Sequence, residues 1–225
     1  MNNYCLPIMR PSRAEVLETV SKHEADYGFL EVWLDYVEDL DDALVRSLAK
    51  RLGGRLVVVF RRLQLKPIHM PLERRMEILK LLSGTPVLVD LELEGQEEEM
   101  AAIRELGLDI QIIASHHDYQ STPSAPEVHS ILDRMEQYNP AIYKLATMCR
   151  TEADAVWLLE VLLELKAAGR RFIILGMGEA GVVTRIFGSM WGNELVFVPE
   201  VPEHASAPGQ LTRSQMESIM RALKG

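Results

Sequence analysis

Eight short apolar runs recur along the chain, and a stretch with helical periodicity follows each of them. That alternation constrains the fold more than any other feature, because a strand followed each time by a helix returns parallel to its neighbour. The runs are Cys5–Met9, Gly28–Leu34, Leu56–Phe60, Pro86–Leu91, Ile110–Ala114, Ala141–Leu145, Phe172–Met177 and Leu195–Val198. Several intervening helices carry end signals. Ser12 with Glu15, and Thr212 with Gln215, have capping-box spacing. Pro71 suits a first helical position and Gly84 a stop. The helix after Thr151 begins with Glu152 and Asp154 and ends near Lys166 and Gly169, in keeping with the helix dipole and a left-handed cap. The last helix puts Met216, Ile219, Met220 and Leu223 on one face. These units predict an α/β fold: a (β/α)₈ TIM barrel forming a single domain over residues 1–225. A doubly wound sheet is the alternative.

Charge and composition narrow the partners. The net charge is -9, which weighs against nucleic acid or an anionic membrane surface. A small anionic substrate would need a local cluster of arginines. Cys5 and Cys149 are the only cysteines, too few for a disulfide framework or a zinc pattern, and they fit buried thiols in a reducing cytoplasm. Met1-Asn2-Asn3-Tyr4 lacks the basic and apolar regions of a secretory leader. Val156–Leu165, interrupted by Glu160 and Glu164, is too short and too charged to span a membrane. The expectation is a cytoplasmic protein with a small-molecule substrate.

In a barrel the functional groups belong at the C-terminal strand ends, which here hold Asp35, Arg61, Glu92, His117, Lys144 and Met177. Lys144, between Ile142 and Leu145, is the most informative of these. Burying an ammonium is costly, so such a lysine tends toward a neutral, nucleophilic amine; the plainer reading is a side chain that snorkels to the surface. His117, near the end of the preceding strand, could move protons beside it, and the pair suggests Schiff-base chemistry on a carbonyl. Alternatively, His117 alone is an ordinary structural donor. His116, His117 and Asp118 make a poor metal set, because adjacent strand residues face opposite ways, and no metal is expected.

Gly176-Met177-Gly178-Glu179-Ala180-Gly181 matches the dinucleotide-binding pattern, with Glu200 at a suitable distance, but only one further strand follows. In a barrel these glycines would let backbone approach a ligand above the seventh strand. Arg61 and Arg185 together could hold a carboxylate. The turn Ser206-Ala207-Pro208-Gly209-Gln210 offers a hydroxyl and an amide. Asp90 and Glu92 share one strand face, as do Glu31, Trp33 and Asp35. If these faces point inward their acids need cationic partners, for which Arg61 is the obvious candidate.

Taken together, the motifs resemble the type I 3-dehydroquinate dehydratase family. The matching segments are Leu30-Glu31-x-x-Leu34-Asp35, Phe60-Arg61, Asp90-Leu91-Glu92, Ser115-x-His117-Asp118-Tyr119 with Thr122-Pro123, Lys144-x-Ala146, Met177-Gly178-x-x-Gly181 with Arg185, and Ser206-Ala207-Pro208-Gly209-Gln210. They occur in the family's order over nearly the whole chain. The resemblance implies a (β/α)₈ barrel that dehydrates 3-dehydroquinate to 3-dehydroshikimate in the shikimate pathway, without metal or cofactor. It implies an imine on Lys144 and acid–base transfer by His117. Arg185, Ser206 and Gln210 would then bind the substrate carboxylate, and Glu31 and Arg61 the ring hydroxyls. Family members are often dimeric, so a homodimer is also implied.

Two positions depart from the family pattern. Trp33 stands where the family has an arginine, and Leu65 where it has the glutamate that partners the catalytic histidine. The second change leaves His117 short of an orienting acid unless another substitutes, with Lys66 and His69 as nearby compensators. Two alternatives stay open on this basis: a diverged Schiff-base lyase acting on another hydroxy-keto acid, and a non-catalytic binding homologue.

Overall fold

A computed structural model describes residues 3–60 and 67–224. Its strands are β1 (Tyr4–Ile8), β2 (Phe29–Trp33), β3 (Leu56–Val59), β4 (Leu88–Glu92), β5 (Gln111–Asp118), β6 (Ile142–Met148), β7 (Phe172–Met177) and β8 (Val196–Phe197). Its helices are α1 (Arg13–His23), α2 (Asp42–Leu52), α3 (Leu72–Leu82), α4 (Glu97–Glu105), α5 (Ala125–Glu136), α6 (Glu152–Ala167), α7 (Gly178–Trp191) and α8 (Arg213–Lys224). The strands form one parallel sheet in the order β7-β6-β5-β4-β3-β2-β1-β8. From β1 to β7 each strand thus lies beside the next in sequence, and β8 pairs with β1. The order has no reversal, so the doubly wound alternative is set aside. Beyond the ladders, the Glu194 N–H donates to Phe172 O (2.8 Å), drawing the β8 end toward β7 in a nearly closed barrel.

Two buried layers explain why the strands read as continuous apolar runs. In β3, Val57 and Val59 face the barrel interior with Ile113, Ile173, Leu175 and Phe197. Leu56 and Val58 face the helices with Val16, Leu48, Ile78 and Leu158. Helix ends follow the sequence signals. Ser12 Oγ accepts the Glu15 N–H (3.3 Å), and Thr151 and Asp154 cap one another reciprocally. Pro71 sits one residue earlier than expected, as the N-cap of α3. On α8, Met216 is buried but Leu223 is 52% exposed, so the apolar stripe leaves the barrel in the last turn. Among the described residues no helix is long and apolar enough to cross a membrane.

Two features differ from the sequence expectation and bear on the site. β5 and β6 run three residues or more past the predicted ends, so His117 and Lys144 sit within strands rather than at or beyond their ends. Their polar inward side chains end the apolar pattern but not the ladder, which pairs Ser115 with Lys144 and His117 with Ala146. The glycine motif also has a different use. A Cβ on Gly181 would lie 2.5 Å from Gly176 C, so the pair lets α7 press directly on β7 instead of opening space for a ligand. Similarly, a Cβ on Gly209 would lie 2.6 Å from Gly178 O, so the loop after β8 seats on the start of α7.

Candidate functional site

The C-terminal halves of the strands line a partly open pocket. Of the residues singled out from the sequence, Glu31, His117, Lys144, Arg185, Ser206 and Gln210 line it together. Arg61, the remaining predicted site residue, lies outside the described residues, as does Leu65. Trp33, Tyr119 and Phe197 complete much of the wall, and of these Tyr119 and Phe197 were not singled out from the sequence as pocket residues. Tyr119 was within reach of the sequence: it lies two residues beyond His117, hence on the same side, and its ring stacks on the imidazole with centroids 6.2 Å apart.

Lys144 does not snorkel. It is 3% exposed, and its Nζ donates to Asp90 Oδ2 at 2.5 Å. The other Asp90 oxygen accepts from Ser115 Oγ (2.6 Å), so a fully buried carboxylate links β4, β5 and β6. Phe197 places its ring 4.6 Å below the amine, a cation–π contact from the opposite side. Amine, carboxylate and ring therefore hold one another in a defined geometry.

His117 is held by Glu92. Its backbone N–H donates to Glu92 Oε1 (3.0 Å), and its Nδ1 lies 2.6 Å from Oε2. The sequence left open whether another acid substitutes for the one missing at Leu65; β4 supplies Glu92. The acids of β4 meet Lys144 and His117; Arg61, the partner suggested from the sequence, lies outside the described residues. His116, next in the chain, faces outward and pairs with Glu94 through Nδ1 (2.8 Å). Burial works to lower the His116 pKa, but the Glu94 hydrogen bond and the charges of Glu94, Glu92 and Asp118 outweigh it, and the net shift is upward. Ligand atoms of Glu92, Glu94 and His116 do lie within 4.8 Å of one another. Glu92 is already bound to His117, however, and Glu94 to the Arg134 guanidinium (2.8 Å), a cation that opposes a metal at that place.

Arg185 is 1% exposed on α7. Its Nη2 donates to Pro208 O (3.1 Å), while Nε and Nη1 have no hydrogen-bond partner among the described residues. Burial lowers its pKa to about 10, which leaves it charged at neutral pH. A buried guanidinium with unmatched donors beside a cavity is suited to a carboxylate. Ser206 and Gln210 brace one another across the loop: the Ser206 N–H donates to Gln210 Oε1, and Gln210 Nε2 to Ser206 Oγ, both at 2.9 Å. At the opposite wall the Trp33 indole N–H donates to Glu31 Oε2 (2.7 Å), both side chains being buried.

Barrel and pocket together define the class, a (β/α)₈ protein with a polar pocket at the C-terminal strand ends. Comparison with known proteins then gives the family. A family model described as type I 3-dehydroquinase matches residues 4–225, and the chain belongs to that family. A 3-dehydroquinate dehydratase from Bacillus licheniformis is 28% identical over 97% of this chain and 91% of its own length. One from Escherichia coli is 28% identical over 92% of this chain and 86% of its own. In fold, the chain is similar to the crystal structure of 3-dehydroquinate dehydratase from Geobacillus kaustophilus. The TM-score is 0.82 at 21% identity, over 100% of this chain and 91% of the other.

Proposed function

We propose that the protein is a 3-dehydroquinate dehydratase, converting 3-dehydroquinate to 3-dehydroshikimate and water through an imine on Lys144, with His117 as general acid and base. The observation that carries this is a single cavity lined by Lys144, His117 and Arg185 in a chain of this family. The names of the bacterial relatives support the choice of substrate.

The chemistry follows from the groups present. Arg185 binds the substrate carboxylate, with Ser206 and Gln210 beside it, and the ketone is left to meet the amine. Lys144 gives a proton to Asp90 and attacks the carbonyl carbon; loss of water leaves a protonated imine. That cation acidifies the neighbouring C–H by accepting its electron pair, and His117 takes the proton. The resulting enamine returns its electrons and expels the β-hydroxyl, which leaves as water with a proton from the His117 imidazolium. Hydrolysis of the imine frees the unsaturated ketone and restores the lysine. Glu31 accepts from ring hydroxyls. The scheme uses side chains alone.

Trp33 supports a second reading, the same chemistry on a different hydroxy-keto acid, because its indole occupies part of the wall and engages Glu31. The non-catalytic alternative loses its main ground, since His117 has a carboxylate partner. The test is to incubate the protein with 3-dehydroquinate, reduce with borohydride and locate the adduct by mass spectrometry, while following the conjugated product by ultraviolet absorbance. An adduct on Lys144 with turnover is expected. Turnover that survives in Lys144→Ala would overturn the imine mechanism, and trapping without turnover would point to the second substrate.

A further inference from the structure

Both carboxylate oxygens of Glu92 meet the same residue, His117. Oε1 accepts the His117 backbone N–H, and Oε2 meets Nδ1 of the same histidine. A carboxylate only accepts, so Nδ1 carries the proton and, in the neutral ring, Nε2 carries the lone pair. Both side chains are buried, 4% and 7% exposed, so water does little to blunt this preference. The clamp is itself braced, since the Glu92 N–H donates to Gln96 Oε1 (2.9 Å). Between Arg61 and Leu72 the sequence contains no carboxylate, so that segment offers no competing acid.

We propose that Glu92 is the positioning residue of His117: it sets the tautomer that makes Nε2 the base and steadies the imidazolium formed when that base is protonated. This rests on the acid–base role given to His117 above. The double grip carries an inverted expectation for the most conservative change. In Glu92→Gln only one side-chain oxygen remains, and the backbone N–H, which can only donate, takes it. The amide NH₂ then faces Nδ1 and forces that atom to accept. The ring proton moves to Nε2, where the neutral imidazole can no longer act as a base. Glu92→Ala removes the clamp but imposes neither tautomer.

The experiment compares kcat, KM and the ¹⁵N spectrum of His117 in wild type, Glu92→Gln and Glu92→Ala, with thermal unfolding to verify folding. The expected kcat falls ~10³-fold or more in E92Q, as when a histidine is locked in its wrong tautomer, and about ten- to a hundredfold in E92A. KM should change little, and the ring signal should move from Nδ1–H to Nε2–H in E92Q only. A purely structural role would not make the amide worse than the alanine. Retention of Nδ1–H in E92Q, or E92Q turning over as fast as E92A, would overturn the proposal. If wild-type protein neither turns over nor traps an adduct, the dehydratase reading fails, and the spectra still decide the tautomer. Should E92A not fold, the E92Q spectrum decides alone.

Discussion

Lys144 and Asp90 form a buried ion pair across the barrel interior, Nζ to Oδ2 at 2.5 Å, with one strand, β5, between them, whose Ser115 donates to the same carboxylate. Breaking such a pair from one side leaves an uncompensated charge in a medium that solvates it poorly. Lys144→Met or Asp90→Asn should each lower stability by about 3–5 kcal/mol. The Asp90→Asn/Lys144→Met double variant should lose less than the two changes summed. Urea unfolding of the four proteins checks this; additive losses would mean the pair is not coupled.

Arg185 should be a liability to the empty protein. Burial depresses its pKa to about 10, so holding the charged guanidinium without a matched anion costs stability at neutral pH. Arg185→Met is therefore expected to raise the melting temperature while abolishing carboxylate binding. The sign with pH is also fixed: above about pH 10 the folded chain begins to release the proton while the unfolded chain still holds it, so this contribution favours folding as pH rises. The stability advantage of R185M, measured by denaturant unfolding, should accordingly shrink above pH 10.

His116 offers a milder test of linkage. Its pKa is raised in the fold, so its pairing with Glu94 stabilises fully below the unfolded value near 6.5 and fades as pH rises through the folded value. Unfolding curves from pH 5 to 9 should show that decline in wild type and not in His116→Gln. A parallel pair of profiles would refute the assignment.

Trp33→Phe keeps an aromatic ring against Tyr36 but removes the N–H that holds the Glu31 carboxylate. Loss of a charge-assisted hydrogen bond should lower kcat/KM about tenfold or more without unfolding the protein. Unchanged steady-state kinetics would show that Trp33 serves packing only.

The contact of α7 with β7 predicts a contrast between two glycines. Gly181→Ala drives a methyl into Gly176 backbone and should cost about 3 kcal/mol. Gly84→Ala meets no atom within 4 Å and bears only the strain of its positive φ, about 1 kcal/mol. Thermal unfolding of both variants measures the difference.

The order of these elements was legible because strands buried on both faces leave uninterrupted apolar runs, and eight of them with intervening helices leave few topologies. Lys144, His117, Arg185, Ser206 and Gln210 converge because strand ends of a barrel converge. The partners of Asp90 and Glu92 were not legible. Asp90 reaches past its neighbouring strand to a lysine on the next but one, a distance set by barrel curvature rather than by spacing in the chain. The lengths of β5 and β6 were hidden for a related reason: their inward polar residues are satisfied by the acids of β4, so hydropathy falls where the ladder continues. The glycine pattern misled because close helix–strand contact and close ligand approach ask for the same missing side chain.

His116 and His117 are chemically identical neighbours, and parity alone gives one the pocket and the other the outer layer. A single residue gained or lost between the turn before β5 and His116 would exchange them, sending the proton carrier toward the helices and its twin inward. Substitutions in this strand can be graded in effect; changes of length cannot. Evolutionary drift here is thus filtered by odd and even, and any recombination or loop grafting ahead of β5 must conserve the count as strictly as the residues.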